Sequence, residues 1–115
     1  TVWANGEGSE ITINGGTYTN QGVEGDDHFD LIYAKAGGKI VINGGTFTTN
    51  NGYITVVNIS AGKDNSNRTI VNNGNFYGDF DIWNDSADSK YLVEIYNGNF
   101  ISHIGSGVYT IRVAV

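Results

Sequence analysis

The chain has no cysteine, no proline and no methionine, only six basic residues, and no long apolar run. Without cysteine there are no disulfides and no thiolate metal sites, and the redox compartment is left open. Six scattered basic residues against twelve acidic ones, a formal net charge of −6, argue against a nucleic-acid partner, because phosphates demand clustered Lys and Arg. No apolar stretch approaches the roughly 20 residues of a membrane-spanning helix, and no signal-peptide pattern is seen. Helical spacing is missing as well. Apolar residues never keep a three-and-four rhythm for more than a few positions before a glycine interrupts. Starting at Thr1 rather than Met, the chain is expected to be processed or part of something longer.

What is present points one way. The 115 residues fit one domain, residues 1–115, and 39% of them are hydrophobic, low for a globular core but enough for a narrow interior lined by short strands. β-branched and aromatic residues suit a pleated surface, while 17 glycines and many asparagines allow positive φ in turns.

Internal repetition is the main signal. Four segments align: Ile11-Thr-Ile-Asn-Gly-Gly-Thr-Tyr18, Ile40-Val-Ile-Asn-Gly-Gly-Thr-Phe47, Thr69-Ile-Val-Asn-Asn-Gly-Asn-Phe76 and Val93-Glu-Ile-Tyr-Asn-Gly-Asn-Phe100. Their closing aromatics, Tyr18, Phe47, Phe76 and Phe100, are spaced by 29, 29 and 24 residues. Upstream of each lies another strand: Val2-Trp-Ala, Leu31-Ile-Tyr-Ala, Ile54 to Ile59, and Phe80-Asp-Ile-Trp. Loose turns at 6–10, 36–39, 61–68 and 86–90 lead into the marker segments. One repeat reads strand, loose turn, strand, tight Asn/Gly turn, strand, loose loop. Three short strands per 24–29 residues is the plan of a parallel β-helix or β-solenoid coil, with four to five coils and a partial fifth beginning at Val108. The competing reading is a set of antiparallel hairpins, since Asn-Gly is also a strong hairpin signal. Equal spacing of the aromatics favours the solenoid.

The tight turns comprise Asn14, Gly15 and Gly16; Asn43, Gly44 and Gly45; Asn73 and Gly74; and Asn97 and Gly98. Bending the chain within two or three residues needs positive φ at one position, which Gly adopts freely and Asn tolerates. Variation is expected at the second glycine, with Asn75 and Asn99 replacing it in the later repeats.

Alternation puts Ile11, Ile13, Ile40, Ile42, Val71, Val93 and Ile95 on the inner face of the middle strand. Tyr18, Phe47, Phe76 and Phe100 should then form an aromatic ladder. Thr69 occupies an inner position where its counterparts are Ile or Val, so a weaker layer is expected there. Stacking buries for all coils what one coil cannot bury alone. Strand edges at both ends of such a stack need a cover. The sequence offers no obvious cap, so more protein or a neighbouring subunit is expected to continue it, as in a homo-oligomeric rod or intertwined trimer.

The segment Asp30-Leu-Ile-Tyr-Ala-Lys-Ala-Gly-Gly-Lys-Ile-Val-Ile-Asn-Gly-Gly-Thr-Phe47 resembles β-helical fibre proteins of tailed bacteriophages, especially phages of gut bacteria. Ser60 to Phe76 is similar to the following coil of such proteins. Asn73-Gly-Asn and Tyr96-Asn-Gly-Asn depart from the double glycine. The resemblance implies a virion-associated fibre or decoration protein. The same coil also occurs in secreted adhesin-like proteins of the host bacteria.

Candidate chemistry is sparse. Glu24, Asp26, Asp27, His28 and Asp30 form the densest polar cluster, and carboxylates with carbonyls suit Ca²⁺. Their spacing matches neither an EF-hand nor a glycine–aspartate nonapeptide, so the expectation is a solvated loop, no metal and no cofactor. Asp79, Asp81, Asp85, Asp88 and Glu94 form a second acidic region. Paired carboxylates there could hydrolyse glycosidic bonds; the competing reading is turn and outward residues. His28 and His103 read as surface residues. Trp3, Tyr33, Tyr53, Trp83 and Tyr91 include candidates for an outward glycan-stacking face, against packing on adjacent coils. Loops holding Glu24, Asp26, Asp27 and His28, and Asp64, Asn65 and Asn67, are the expected ligand-facing elements.

These readings lead to a structural component of a phage virion: a stiff rod without enzymatic activity, in a head or tail fibre or decoration protein, contributing to host-surface attachment. The alternatives are a carbohydrate- or receptor-binding adhesin module of a secreted or cell-surface bacterial protein, and a fragment of a polysaccharide depolymerase. Expected partners are further copies, other virion proteins or a host-surface glycan.

Overall fold

The computed structural model describes residues 2–20, 31–59, 68–84 and 93–101. Those residues form strands joined by turns, with no helix among them. The strands are β1 (Val2–Asn5), β2 (Glu10–Ile13), β3 (Thr17–Asn20), β4 (Ile32–Lys35), β5 (Lys39–Ile42), β6 (Thr46–Ile59), β7 (Arg68–Val71), β8 (Asn75–Asn84), β9 (Val93–Ile95) and β10 (Asn99–Ile101). The partial repeat at Val108 lies outside the described residues.

Two sheets result. One runs β1-β4-β6-β8-β10, with β3 also paired to β6; the other runs β2-β5-β7-β9. Every pairing among these strands is parallel. Parallel neighbours cannot be joined by two-residue hairpins, so the Asn-Gly segments are not antiparallel ribbons. The protein is all-β with parallel sheets, compatible with a β-solenoid.

Register in space follows the repeat in sequence. Ile11 pairs with Ile40, Ile40 with Thr69, and Thr69 with Val93. Tyr18 pairs with Phe47, Phe47 with Phe76, and Phe76 with Phe100. A one-residue slip would turn every inner side chain outward. The apolar alternation of each strand therefore locks this register.

The long strands were less legible. β6 joins the third strand of one repeat to the first strand of the next, and β8 does the same. The loose loop expected there is reduced to a register irregularity between Thr48 and Tyr53. β6 pairs with β3 over its first residues and with β4 over its last, while β8 follows it on the other side. Those flanking ladders hold it extended.

The interior lies between the two sheets. Ile40, Ile42, Phe47, Val71 and Phe76 are fully buried; each such side chain contributes roughly 1.5–3 kcal/mol of burial. Ile11, Tyr18, Ile95 and Phe100, at the margins of the described stack, are half-buried and pack against this core. Thr69 is fully buried at the position of Ile40 and Val93. The rings of Tyr18, Phe47, Phe76 and Phe100 stack in sequence, with centroids 4.9, 5.0 and 4.8 Å apart and tilts of 9°, 9° and 5°. This separation is close to the 4.7–4.9 Å spacing of neighbouring strands, so strand pairing alone sets ring on ring.

The turns correct one expectation. Thr46 pairs with Asn75, and Asn75 with Asn99, so these asparagines continue the Thr17–Thr46 row and do not replace a glycine. The second glycine persists as Gly16, Gly45, Gly74 and Gly98, each with positive φ. At Gly45 φ is +118°, and an added Cβ would lie 3.2 Å from the Gly16 carbonyl oxygen and 3.3 Å from the Phe47 ring. The variable position is the first glycine, which becomes Asn73 and Asn97. Each of these accepts a 2.9 Å bond on its side-chain oxygen from the following glycine N–H.

Candidate functional site

Since the interior is filled by apolar side chains, chemistry has to reside on the outer faces. On the β2-β5-β7-β9 sheet the outward residues form rows. Glu10, Lys39 and Arg68 share one row. Lys39 Nζ lies 3.8 Å from Glu10, and Arg68 lies 3.8 Å from Glu94 on the neighbouring row. These are partly exposed pairs, each adding at most about 1 kcal/mol. Thr12, Val41, Ile70 and Glu94 form the next row.

A third row borders the tight turn. Asn43 donates from Nδ2 to Asn14 Oδ1 at 2.9 Å, and Asn72 donates to Asn43 Oδ1 at 2.8 Å. The backbone N–H groups behind them donate to the preceding repeat in the same sense, Asn43 to Ile13 and Asn72 to Ile42. Sequence reading treated Asn14 and Asn43 only as turn formers and took Asn73 as the next member. The structure assigns that place to Asn72. The available signal was an asparagine recurring at intervals of 29 residues.

Tyr96 stands where the next asparagine would be, its backbone N–H donating to Val71. It is 70% exposed and donates its hydroxyl to Glu94 Oε2 at 2.7 Å. That hydrogen bond, reinforced by the negative charge of Glu94, raises the Tyr96 pKa above its ordinary value. Glu94 is thus engaged by Arg68 on one oxygen and Tyr96 on the other. No sequence argument had joined the three.

The other sheet carries exposed apolar groups outward: Trp3, Tyr77 and Ile101. Trp3 meets Tyr33 edge to face, with centroids 5.6 Å apart and planes at 87°. By backbone register Trp3, Tyr33, Val57 and Trp83 fall in one row.

Most sequence candidates for ligand contact are not brought together by anything described. Glu24, Asp26, Asp27, His28, Asp30, Asp64, Asn65, Asn67, Asp85, Asp88, Tyr91 and His103 lie outside the described residues. Asp79 and Asp81 lie on β8, opposite Tyr53 and Thr55 of β6. Among the described residues, no three His, Cys, Asp or Glu side chains converge on a common metal position. No described helix is long and apolar enough to cross a membrane.

No protein-family model, no curated protein and no solved structure matches the chain.

Proposed function

We propose that the chain is a β-solenoid segment of about four to five coils, each of 24–29 residues with three short strands, that serves as a stiff structural rod in a bacteriophage virion. The observation that carries this reading is the coincidence of sequence repeat and parallel register. Residues 29 positions apart are hydrogen-bonded neighbours in both sheets, and the spacing shortens to 24 at the last pairing. In such a stack each coil contacts only its neighbours, so stability grows by repetition and outer loops are free to vary. Two continuous side-chain ladders support this reading, an apolar one inside (Tyr18 to Phe100) and an amide one outside (Asn14 to Asn72). Both stiffen the axis along which a fibre bears load. The resemblance of Asp30 to Phe47 to phage fibre repeats supplies the virion assignment, in a head or tail fibre or decoration protein, built from further copies or alongside other virion proteins.

Negative-stain imaging of the full-length protein tests the rod, and immunogold labelling of phage particles with an antibody against residues 1–115 tests its place. Narrow, straight rods with gold on fibres or the head surface are expected. Round particles without a long axis would overturn the rod. Label confined to bacterial surfaces would shift the assignment to an adhesin.

A further inference from the structure

The outer face of β1 and β4 gathers side chains that the interior does not use. Alternation buries Ala4, Ile32 and Ala34, and turns Trp3, Asn5, Tyr33 and Lys35 outward. Register sets Trp3 beside Tyr33 and Asn5 beside Lys35. The two rows are separated by two residues, about 7 Å along the strand.

Three properties of this face go together. Trp3 is 56% exposed, a large aromatic surface left in water although Tyr33 steadies it from one side. Asn5 is exposed and carries both a donor and an acceptor. Lys35 has no ion pair among the described residues, whereas Lys39 and Arg68 are each matched to a glutamate. In a chain with twice as many acidic as basic residues, an unmatched cation beside an exposed indole calls for a partner from outside.

We propose that Trp3, Tyr33, Asn5 and Lys35 form a platform for an acidic pyranose, a uronic-acid unit of a polysaccharide. The C–H-rich face of the sugar lies on the indole, its carboxylate meets the Lys35 ammonium, and Asn5 pairs with ring hydroxyls. An indole offers an apolar body with a polar edge, which suits a ring having one apolar face. A neutral sugar would use the indole and leave the cation unmatched. The net charge of −6 opposes a polyanion at long range, but screening over about 8 Å at physiological salt confines that repulsion and leaves contact with Lys35 to decide. The platform needs only the shared face of β1 and β4 and stands apart from the virion-rod reading.

Isothermal titration calorimetry of the full-length protein with trigalacturonate, and in parallel with cellotriose, tests it at about 0.15 M salt. Trigalacturonate is expected to bind, and cellotriose at least about tenfold more weakly. Trp3→Ala and Lys35→Met should each weaken trigalacturonate binding about tenfold or more without shifting the melting temperature, because both side chains face outward. Trp3→Phe, which keeps a ring, should retain most of the binding. The proposal is overturned by absence of trigalacturonate binding, by binding that both variants leave unchanged, or by equal affinity for the neutral trisaccharide.

Discussion

Phe76 lies flat against Phe47, their centroids 5.0 Å apart and their planes 9° from parallel, although 29 residues of chain separate them. Both rings are fully buried, and Phe47 is also covered on its other face by Tyr18. A ring held from both sides leaves a cavity when removed, because the strands above and below are fixed by their ladders. Phe47→Ala should therefore cost about 3–5 kcal/mol in urea unfolding. Phe100→Ala, at a half-buried rung, should cost distinctly less. Equal costs at the two positions would contradict a continuous ladder.

The paired glycines of the first turn should separate cleanly on substitution. Gly16 has φ +102°, whereas Gly15 has no positive φ and nothing within 4 Å of an added Cβ. Gly15→Ala should stabilise by about 0.4–1 kcal/mol, since it removes only freedom of the unfolded chain. Gly16→Ala should destabilise by about 1–2 kcal/mol from backbone strain alone. Thermal melts of the two variants should move in opposite directions.

A different glycine is fixed by contact and not by conformation. Gly38 follows the turn into β5, and a Cβ there would run into the Ala4 carbonyl of the neighbouring repeat. Backbone cannot swing aside as a flexible side chain can. Gly38→Ala should destabilise by about 1–3 kcal/mol through overpacking. A change in melting temperature within error would mean that β1 and the turn before β5 are further apart than described.

Legibility in the sequence followed the strength of each pattern. Ile11, Ile40 and Thr69 could be aligned because apolar alternation and a terminal aromatic fix a frame on both sides. The extended course of β6 through Asn50, Asn51 and Gly52 could not, because those residue types favour turns and only pairing with β3, β4 and β8 overrides them. The confusion of Asn72 with Asn73 has a similar cause. Two asparagines in succession look alike in sequence, yet one faces the neighbouring repeat and the other bonds its own turn. Contacts made by Lys35, Glu94 and Tyr96 were hidden because outward rows obey no hydrophobic pattern.

Alkaline titration should find Tyr96 displaced upward. Its hydroxyl donates to Glu94, so ionisation would break that bond and set two negative charges side by side. The stability this bond supplies is present in full below the ordinary tyrosine pKa near 10. It is lost as pH rises through the higher folded value. Following the Tyr96 ring carbon by NMR should give a midpoint above the ordinary value, and Glu94→Ala should return it. A midpoint unmoved by Glu94→Ala would remove the interaction.

The amide row makes the most directional prediction, because its bonds all point the same way. Asn14 accepts from Asn43, Asn72 donates to Asn43, and Asn43 does both. Replacing an amide by a carboxylate keeps the acceptor and deletes the donor. Asn14→Asp should then be tolerated within about 0.5 kcal/mol, since its ladder oxygen is retained. Asn72→Asp should cost about 1–2 kcal/mol at neutral pH, because it brings a carboxylate oxygen against the Asn43 oxygen with no proton between them. Lowering the pH until that carboxyl is protonated restores a donor, so the deficit of Asn72→Asp should shrink in acid while Asn14→Asp changes little. Urea unfolding of both variants at neutral and acid pH separates the effects. If the two substitutions cost the same at neutral pH, the row has no polarity and its asparagines serve only their turns.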